Sequence, residues 1–326
     1  MYLLIHTTNI YSNKKGWLTM KKLAAGTSNP LRRKNTAARF MKNLGMWALL
    51  LPALLIMYFF TIRPIMTGVW YSLHDLQGYK IIGFCGLKNY KNIISDTRFL
   101  KVLWNSLQYV IWSLVIGYLP PIIVAIILNE MVHGKSFFKF AIYFPGMVPA
   151  LAVSLLWYYM YLPDASGLLN TMLAHIGIGA QPWLQNEKLT IILITVAGTW
   201  GGFGGTAIMY LASLQGINNE LYEAAALDGA GFFTRIRKIT IPGISSIMLL
   251  FLVQQIIATF NIMEQPLAMT GGGPNNASMS LGLWSYYNGF ISFNTAASLA
   301  TGVITFLILL VLTFFYFILK RKIEAE

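Results

Sequence analysis

Residues 223–242 read EAAALDGAGFFTRIRKITIP. The stretch opens on Glu223, Ala224 and Ala225, passes through Asp228-Gly229, and closes on Ile239-Thr240-Ile241-Pro242. Its opening residues are strong helix formers. Gly229 and Gly231 interrupt that run. Residues 232–239 can resume as a second helix, expected to end before Pro242, whose ring cannot continue a helical ladder. The expected product is two short helices set at an angle and joined directly to the apolar stretches on either side. A stiff element of this kind can carry motion, which a flexible linker cannot.

Those flanking stretches decide the class. The chain has 326 residues, 56% of them hydrophobic, with a mean hydropathy of +0.59. Only 11% are charged, against about 25% in an ordinary globular domain. A soluble domain is excluded. Six stretches reach the ~20 apolar residues that a membrane-crossing helix needs: 44–73, 104–128, 137–162, 189–214, 244–268 and 296–319. They do not alternate apolar with polar residues, so helices are expected rather than a barrel. The reading is an all-α integral membrane protein with six transmembrane helices. Pro120-Pro121 in the second stretch and Pro145 and Pro149 in the third are expected to bend their helices.

Charge gives the orientation. Residues 1–43 carry nine Lys or Arg and no Asp or Glu, within a net charge of +13. Such a tail beside a first span reads as membrane topology rather than as a nucleic-acid footprint, because basic flanks stay cytoplasmic. With the amino terminus inside, the inner segments hold seventeen basic residues and the outer ones six. Both termini are therefore expected in the cytoplasm, and the loop 215–243 with them. The chain reads as a basic tail at 1–43, a six-span domain at 44–320 and a short tail at 321–326. Met20-Lys21-Lys22 reads as an alternative start.

Other chemistry is sparse. Cys85 stands alone and the four histidines are scattered, so neither a disulfide nor a metal set is expected. Gly134-Lys135-Ser136 ends like a P-loop, but position 129, where the motif needs glycine, is Asn129. Any ATP must act from another chain. At membrane depth, polar side chains are costly and usually face the bundle interior. Gln254 and Gln255 are expected near the midplane of the fifth span, with Asn261 and Glu264 further out and Trp200 at a similar depth on the fourth. Amides beside an indole suit a sugar; the plainer reading is that they tie helices together. Gly201, Gly202, Gly204 and Gly205 are expected at a close helix crossing or at a local break lining a pathway.

The pattern Glu-Ala-Ala, three residues, Gly, nine residues, Ile, one residue, apolar-Pro resembles the EAA signature of permease subunits of binding-protein-dependent ABC importers. Glu223, Ala224, Ala225, Gly229, Ile239 and Pro242 match it, with Ile241 in place of Leu. The resemblance extends to Phe84-Cys85-Gly86-Leu87-Lys88-Asn89-Tyr90, Phe99, Asn105, Tyr143-Phe144-Pro145, Trp157, Gly167-Leu168-Leu169-Asn170 and Thr270-Gly271-Gly272-Gly273-Pro274. It covers about 44–320 and is similar to the maltose and glycerol-phosphate type of carbohydrate permease. Gly216-Ile217-Asn218-Asn219 departs from the family's Ile-Pro, which is expected to leave the entry to the elbow less fixed.

The resemblance implies a non-catalytic subunit of a bacterial-type cell membrane that imports a sugar, an oligosaccharide or a polysaccharide fragment. It implies a second, similar permease, an extracytoplasmic solute-binding protein, and two ATPase subunits holding ATP and Mg, with no cofactor in this chain. The elbow would dock into a cleft on an ATPase, with Glu223 contacting it electrostatically and Gly229 allowing the bend. The alternative is an ion-coupled secondary sugar transporter, against which stands the lack of an embedded Asp pair or an inverted repeat. A membrane enzyme would need paired acidic residues at one depth, which the sequence lacks.

Overall fold

A computed structural model describes residues 47–323; the basic tail 1–43 with Met20, and residues 324–326, lie outside the described residues. The chain divides into two compact units, residues 1–65 and 66–326. The described part of the first belongs to helix α1 (Trp47–Ser72), where residues 47–65 are all exposed.

The second unit begins with a departure from the all-α expectation. Strands β1 (His74–Gln77) and β2 (Lys80–Phe84) pair antiparallel, His74 opposite Phe84 and Gln77 opposite Lys80, with an irregularity between Asp75 and Leu76. The two-residue loop works because Gly78 takes a φ of +61°, the left-handed value that tight hairpin turns require. Helix α2 (Lys88–Ser95) follows. Asn89 in it is buried and donates to the carbonyls of Ser72 and His74, both at 2.9 Å, which fastens the hairpin.

Helix α3 (Thr97–Glu130) is the second span. Asp96 caps it by accepting from the Arg98 amide at 2.9 Å. Residues Ser113–Tyr118 widen into i→i−5 turns immediately before Pro120-Pro121. The widening absorbs the amides that proline cannot supply.

The third span is corrected most. It is not one helix over 137–162 but a pair, α4 (Lys135–Met147) and α5 (Ala150–Met160), meeting at 92°. The prolines were expected to bend this segment: Pro145 stays inside α4, and the break falls at Val148-Pro149. Val148 precedes Pro149 and is extended (φ −80°, ψ 135°), as the residue before proline prefers. Helix α6 (Leu168–His175) leads to α7 (Thr190–Leu214), the fourth span. The glycines of α7 make the close crossing read from the sequence. A Cβ at Gly204 would sit 2.0 Å from the Ile142 carbonyl oxygen of α4, and one at Gly201 would sit 3.2 Å from Val153 of α5.

Beyond α8 (Asn219–Leu227) runs α9 (Phe232–Phe260), 29 residues without a break. Two expectations fall here. The second elbow helix does not end before Pro242, because Ile236–Thr240 widen and the Ile241 amide reaches back to Ile236, leaving room for the ring. Nor does the fifth span reach 268: it stops at Phe260, Asn261 leaves the helix, and α10 (Glu264–Thr270) starts afresh. Pro266 gives the reason. In a continuous helix its ring would clash with the turn before it, whereas at the third position of a new helix no amide partner is needed. Helices α11 (Leu281–Tyr286) and α12 (Thr295–Ile323) complete the described chain.

Among the described residues five helices are long and apolar enough to cross a membrane, or six if the bent pair is one span. The core of the second unit is three apolar clusters rather than one. Tyr210, Leu211 and Leu214 of α7 meet Ile122, Ala125 and Leu128 of α3 at the elbow end. Ile191, Ile194 and Ala197 meet Tyr109 and Tyr161 towards the opposite end of α7. Phe260, Leu281, Leu283 and Ala300 gather around Phe99 and Val102.

Candidate functional site

Two places carry function-bearing residues: the elbow and a cavity. The elbow begins where α7 stops. Asn218 accepts from the Glu220 amide at 3.1 Å and its own amide donates to the Glu220 carboxylate at 3.1 Å. The entry to α8, expected to be loosely set, is therefore capped. At the other end Gly229 takes a φ of +74°. The Ala230 amide bonds the Ala225 carbonyl at 2.8 Å and the Gly229 amide bonds Ala226 at 3.1 Å, the paired bonds of a Schellman stop. The turn then delivers Gly231, in an extended conformation, as the N-cap of the next helix.

Two further contacts brace the elbow. The hydroxyls of Tyr222 and Thr240 lie 3.1 Å apart, joining α8 to the widened turn at the base of α9. Ile217 sits so close to Gly243 that a Cβ there would lie 2.7 Å from it. Glu223, Ala224, Asp228 and Pro242 are exposed, while Ala225 and Ile239 are half-buried. What sequence reading missed is the apolar surface around them: Leu227 and Phe233 are 90% and 83% exposed, with Leu221 and Phe232 beside them. Large apolar side chains held this far into solvent on a braced scaffold mark a contact surface.

The cavity has a volume of about 710 Å³ and lies among α3, α7, α9 and the start of α10. It brings together four of the five pathway residues expected from the sequence: Gln254, Gln255, Asn261 and Glu264. Gln255 donates to the Ser113 carbonyl at 2.7 Å, so it ties α9 to the widened turn of α3. Gln254 is exposed at the wall and makes no hydrogen bond among the described residues. Asn261 and Glu264 reach the cavity from the break after α9, not from the span itself. Trp200 is not part of the lining; its ring meets Trp157 edge-on at 5.9 Å.

Thr195, Thr199, Thr206 and Gln265 also line the cavity, although the sequence did not single them out. The threonines recur at spacings of four and seven, which place them on one helical face. Space exists here because Gly117 has no side chain: a Cβ would lie 2.9 Å from both Gln255 Nε2 and Thr199 Oγ1.

A loop closes the far end. Asn105 donates to the carbonyls of Asn276 at 2.7 Å and Met279 at 3.0 Å, and Tyr109 donates to Ser278. Ser280 donates to the Ile262 carbonyl. These bonds pin the segment after Thr270 onto α3, beside the cavity.

The described residues form a bundle of apolar helices with a braced, exposed elbow and a cavity lined by hydroxyls and amides. The chain belongs to the family of binding-protein-dependent transport system inner membrane components, whose family model matches residues 23–325. It is 30% identical over 274 residues to the trehalose/maltose transport system permease protein MalF of Thermococcus litoralis, covering 83% of this chain and 91% of that one. It is 30% identical over 284 residues to the sn-glycerol-3-phosphate transport system permease protein UgpA of Escherichia coli, covering 86% and 94%. A chain of the bacterial ABC transporter involved in import of the acidic polysaccharide alginate shares the fold, with a TM-score of 0.77 at 22% identity over 88% of this chain and 99% of that one. The resemblance read from the sequence holds. The protein is a multi-pass, non-catalytic permease subunit of an ABC importer, and ATP hydrolysis belongs to separate subunits.

Proposed function

We propose that this chain forms half of the translocation pathway of an ATP-driven sugar importer in a bacterial-type cell membrane. The substrate is an oligosaccharide or polysaccharide fragment, handed over by an extracytoplasmic solute-binding protein. A second, homologous permease supplies the other half. Two ATPase subunits carry ATP and Mg and receive the elbow. Both termini and the loop 215–243 lie in the cytoplasm, a placement supported by seventeen basic residues in the inner segments against six in the outer ones.

The observation that carries this reading is the unbroken helix from Phe232 to Phe260. Its base belongs to the elbow and its far half carries Gln254 and Gln255 into the cavity wall. When the ATPases close, the docked elbow moves with them. Glu223 and Asp228 offer charge to the ATPase, while Ala224, Ala225 and Ile239 keep α8 close to the base of α9. Gly229 sets the angle and Pro242 marks where α9 leaves the elbow. Because α9 has no hinge below the cavity, displacement at 232 arrives at 254 as rigid-body tilt, the general solution for alternating access. Trp200 acts through Trp157, outside the cavity.

The test is accessibility. In a Cys85→Ser background, Phe233→Cys should react with a membrane-impermeant maleimide in inside-out vesicles and not in right-side-out ones, and the assembled ATPases should protect it. Labelling from the outside would overturn the topology. Absence of protection would overturn the docking.

A further inference from the structure

The relatives named above differ in the charge of what they carry: trehalose and maltose are neutral, whereas glycerol phosphate and alginate are anionic. The cavity bears on that difference. Among the described residues lining it there is no lysine, arginine or histidine. Its polar groups are hydroxyls and amides, such as Thr195, Thr199, Gln254 and Gln265, and its one acidic side chain is the exposed Glu264. Neither Arg98, paired with Asp96 at 2.7 Å, nor Lys101, 3.8 Å from Glu187, belongs to its lining.

An anion entering this space gives up hydration and meets no cation of this chain in return. Glu264 adds repulsion, strengthened where low-dielectric walls focus its field. Neutral hydroxyls meet no such barrier, since each can donate to or accept from an amide or a threonine. Resting on the sugar-importer reading, we infer that this cavity passes uncharged sugars and rejects sugar acids and sugar phosphates, with Glu264 as the residue that determines the specificity.

The experiment uses the complete importer in proteoliposomes with its binding protein. The probes are trimers of glucose, galactose and mannose, each paired with its uronic-acid counterpart of equal length. ATP-dependent uptake of the neutral member should exceed that of the acidic one by at least about tenfold, the scale on which a membrane site penalises an uncompensated charge. Glu264→Lys should narrow the ratio by about threefold or more, and Glu264→Gln by less, the order expected when a like charge is removed or reversed. The binding protein is the same throughout, so a changed ratio reports the cavity.

Equal uptake of both members of a pair, or an unchanged ratio in a folded, ATP-hydrolysing Glu264→Lys importer, overturns the inference and leaves the sugar-importer reading standing. ATP hydrolysis with no uptake of any trimer overturns both. If the lysine variant does not assemble, Glu264→Gln decides: a narrowed ratio supports the role of Glu264 and an unchanged ratio overturns it.

Discussion

Helices α7 and α9 are consecutive spans of similar apolar composition, joined by the elbow, yet they are used in opposite ways. In α7, 33% of the most apolar window is buried; in α9 the share is 6%. The first is wedged between α3 and the bent pair α4–α5, with Gly204 against the backbone of α4. The second fully buries only Thr240 and Ile244 near its base and Phe260 at its far end, and hydrogen bonds from Gln255 to Ser113 and from Tyr118 to Met248 tie it to α3. One helix is packed as a pillar, and the other is the one proposed above to act as a lever. Hydrophobicity does not separate them; small residues do. Five glycines interrupt α7, whereas α9 has only Gly243. In lipid, where apolar surface gives no preference for a helix neighbour over a hydrocarbon tail, close backbone approach is what anchors a helix.

The sharpest way to break the comparison is to deny the pillar its crossing. Gly204→Val should destabilise the detergent-purified protein by about 3 kcal/mol or prevent assembly, as core overpacking does. Gly202→Ala, whose Cβ meets nothing within 4 Å, should stay within about 0.5 kcal/mol apart from helix propensity. Thermal unfolding of the two variants checks the contrast, and equal losses would dissolve the distinction.

Next comes the approach to the pillar. Asn170, only 2% exposed, donates to the carbonyls of Leu162, Asp164 and Gln181 and accepts from the Gln181 amide and the Trp183 indole. Asn170→Ala should cost about 2 kcal/mol, because those buried groups lose their partner together. Limited proteolysis between 162 and 185 should rise in step.

For the lever the effect shifts from stability to coupling. Gly229→Val should cost only about 1–2 kcal/mol, a local backbone penalty at positive φ with open space around the side chain. Co-purification of the ATPases should nevertheless fall sharply while membrane insertion is unchanged. Normal co-purification would show that the elbow angle does not matter.

The smallest effect lies at the start of α3, which touches both helices. The Arg98 side chain beside Asp96 holds its carboxyl below the usual range, against a weaker opposing effect of burial. A depressed carboxyl stabilises the fold above its unfolded pKa, and that contribution fades as pH falls through and below the ordinary carboxylate range. Asp96→Asn keeps the helix cap and should remove this acid-dependent part, a few tenths of a kcal/mol for so exposed a pair. Melting curves on either side of pH 4 measure it.

Much of this protein was legible without its structure. Apolar length located the spans, since a helix in lipid has to satisfy its own backbone over the full thickness of the bilayer. The stretch from Glu223 to Pro242 outlined the elbow, because Gly229 permits the left-handed turn that ends α8, whereas the stop expected at Pro242 did not occur. What escaped were properties of pairs. Asn89, Asn105 and Asn170 were visible as motif positions, but that each clamps a loop by donating to its carbonyls depends on segments up to 174 residues away.

The same division holds for the site. Four of the five expected pathway residues meet at the cavity, but Asn261 and Glu264 do so from a break that Pro266 imposes, and Trp200 turns to Trp157 instead. Sequence alone determined that this chain crosses the membrane and carries a stiff elbow, because both follow from local backbone chemistry. Only tertiary structure decided which span is tightly packed and which is left largely exposed, because the tightness of a helix crossing depends on what its neighbour presents.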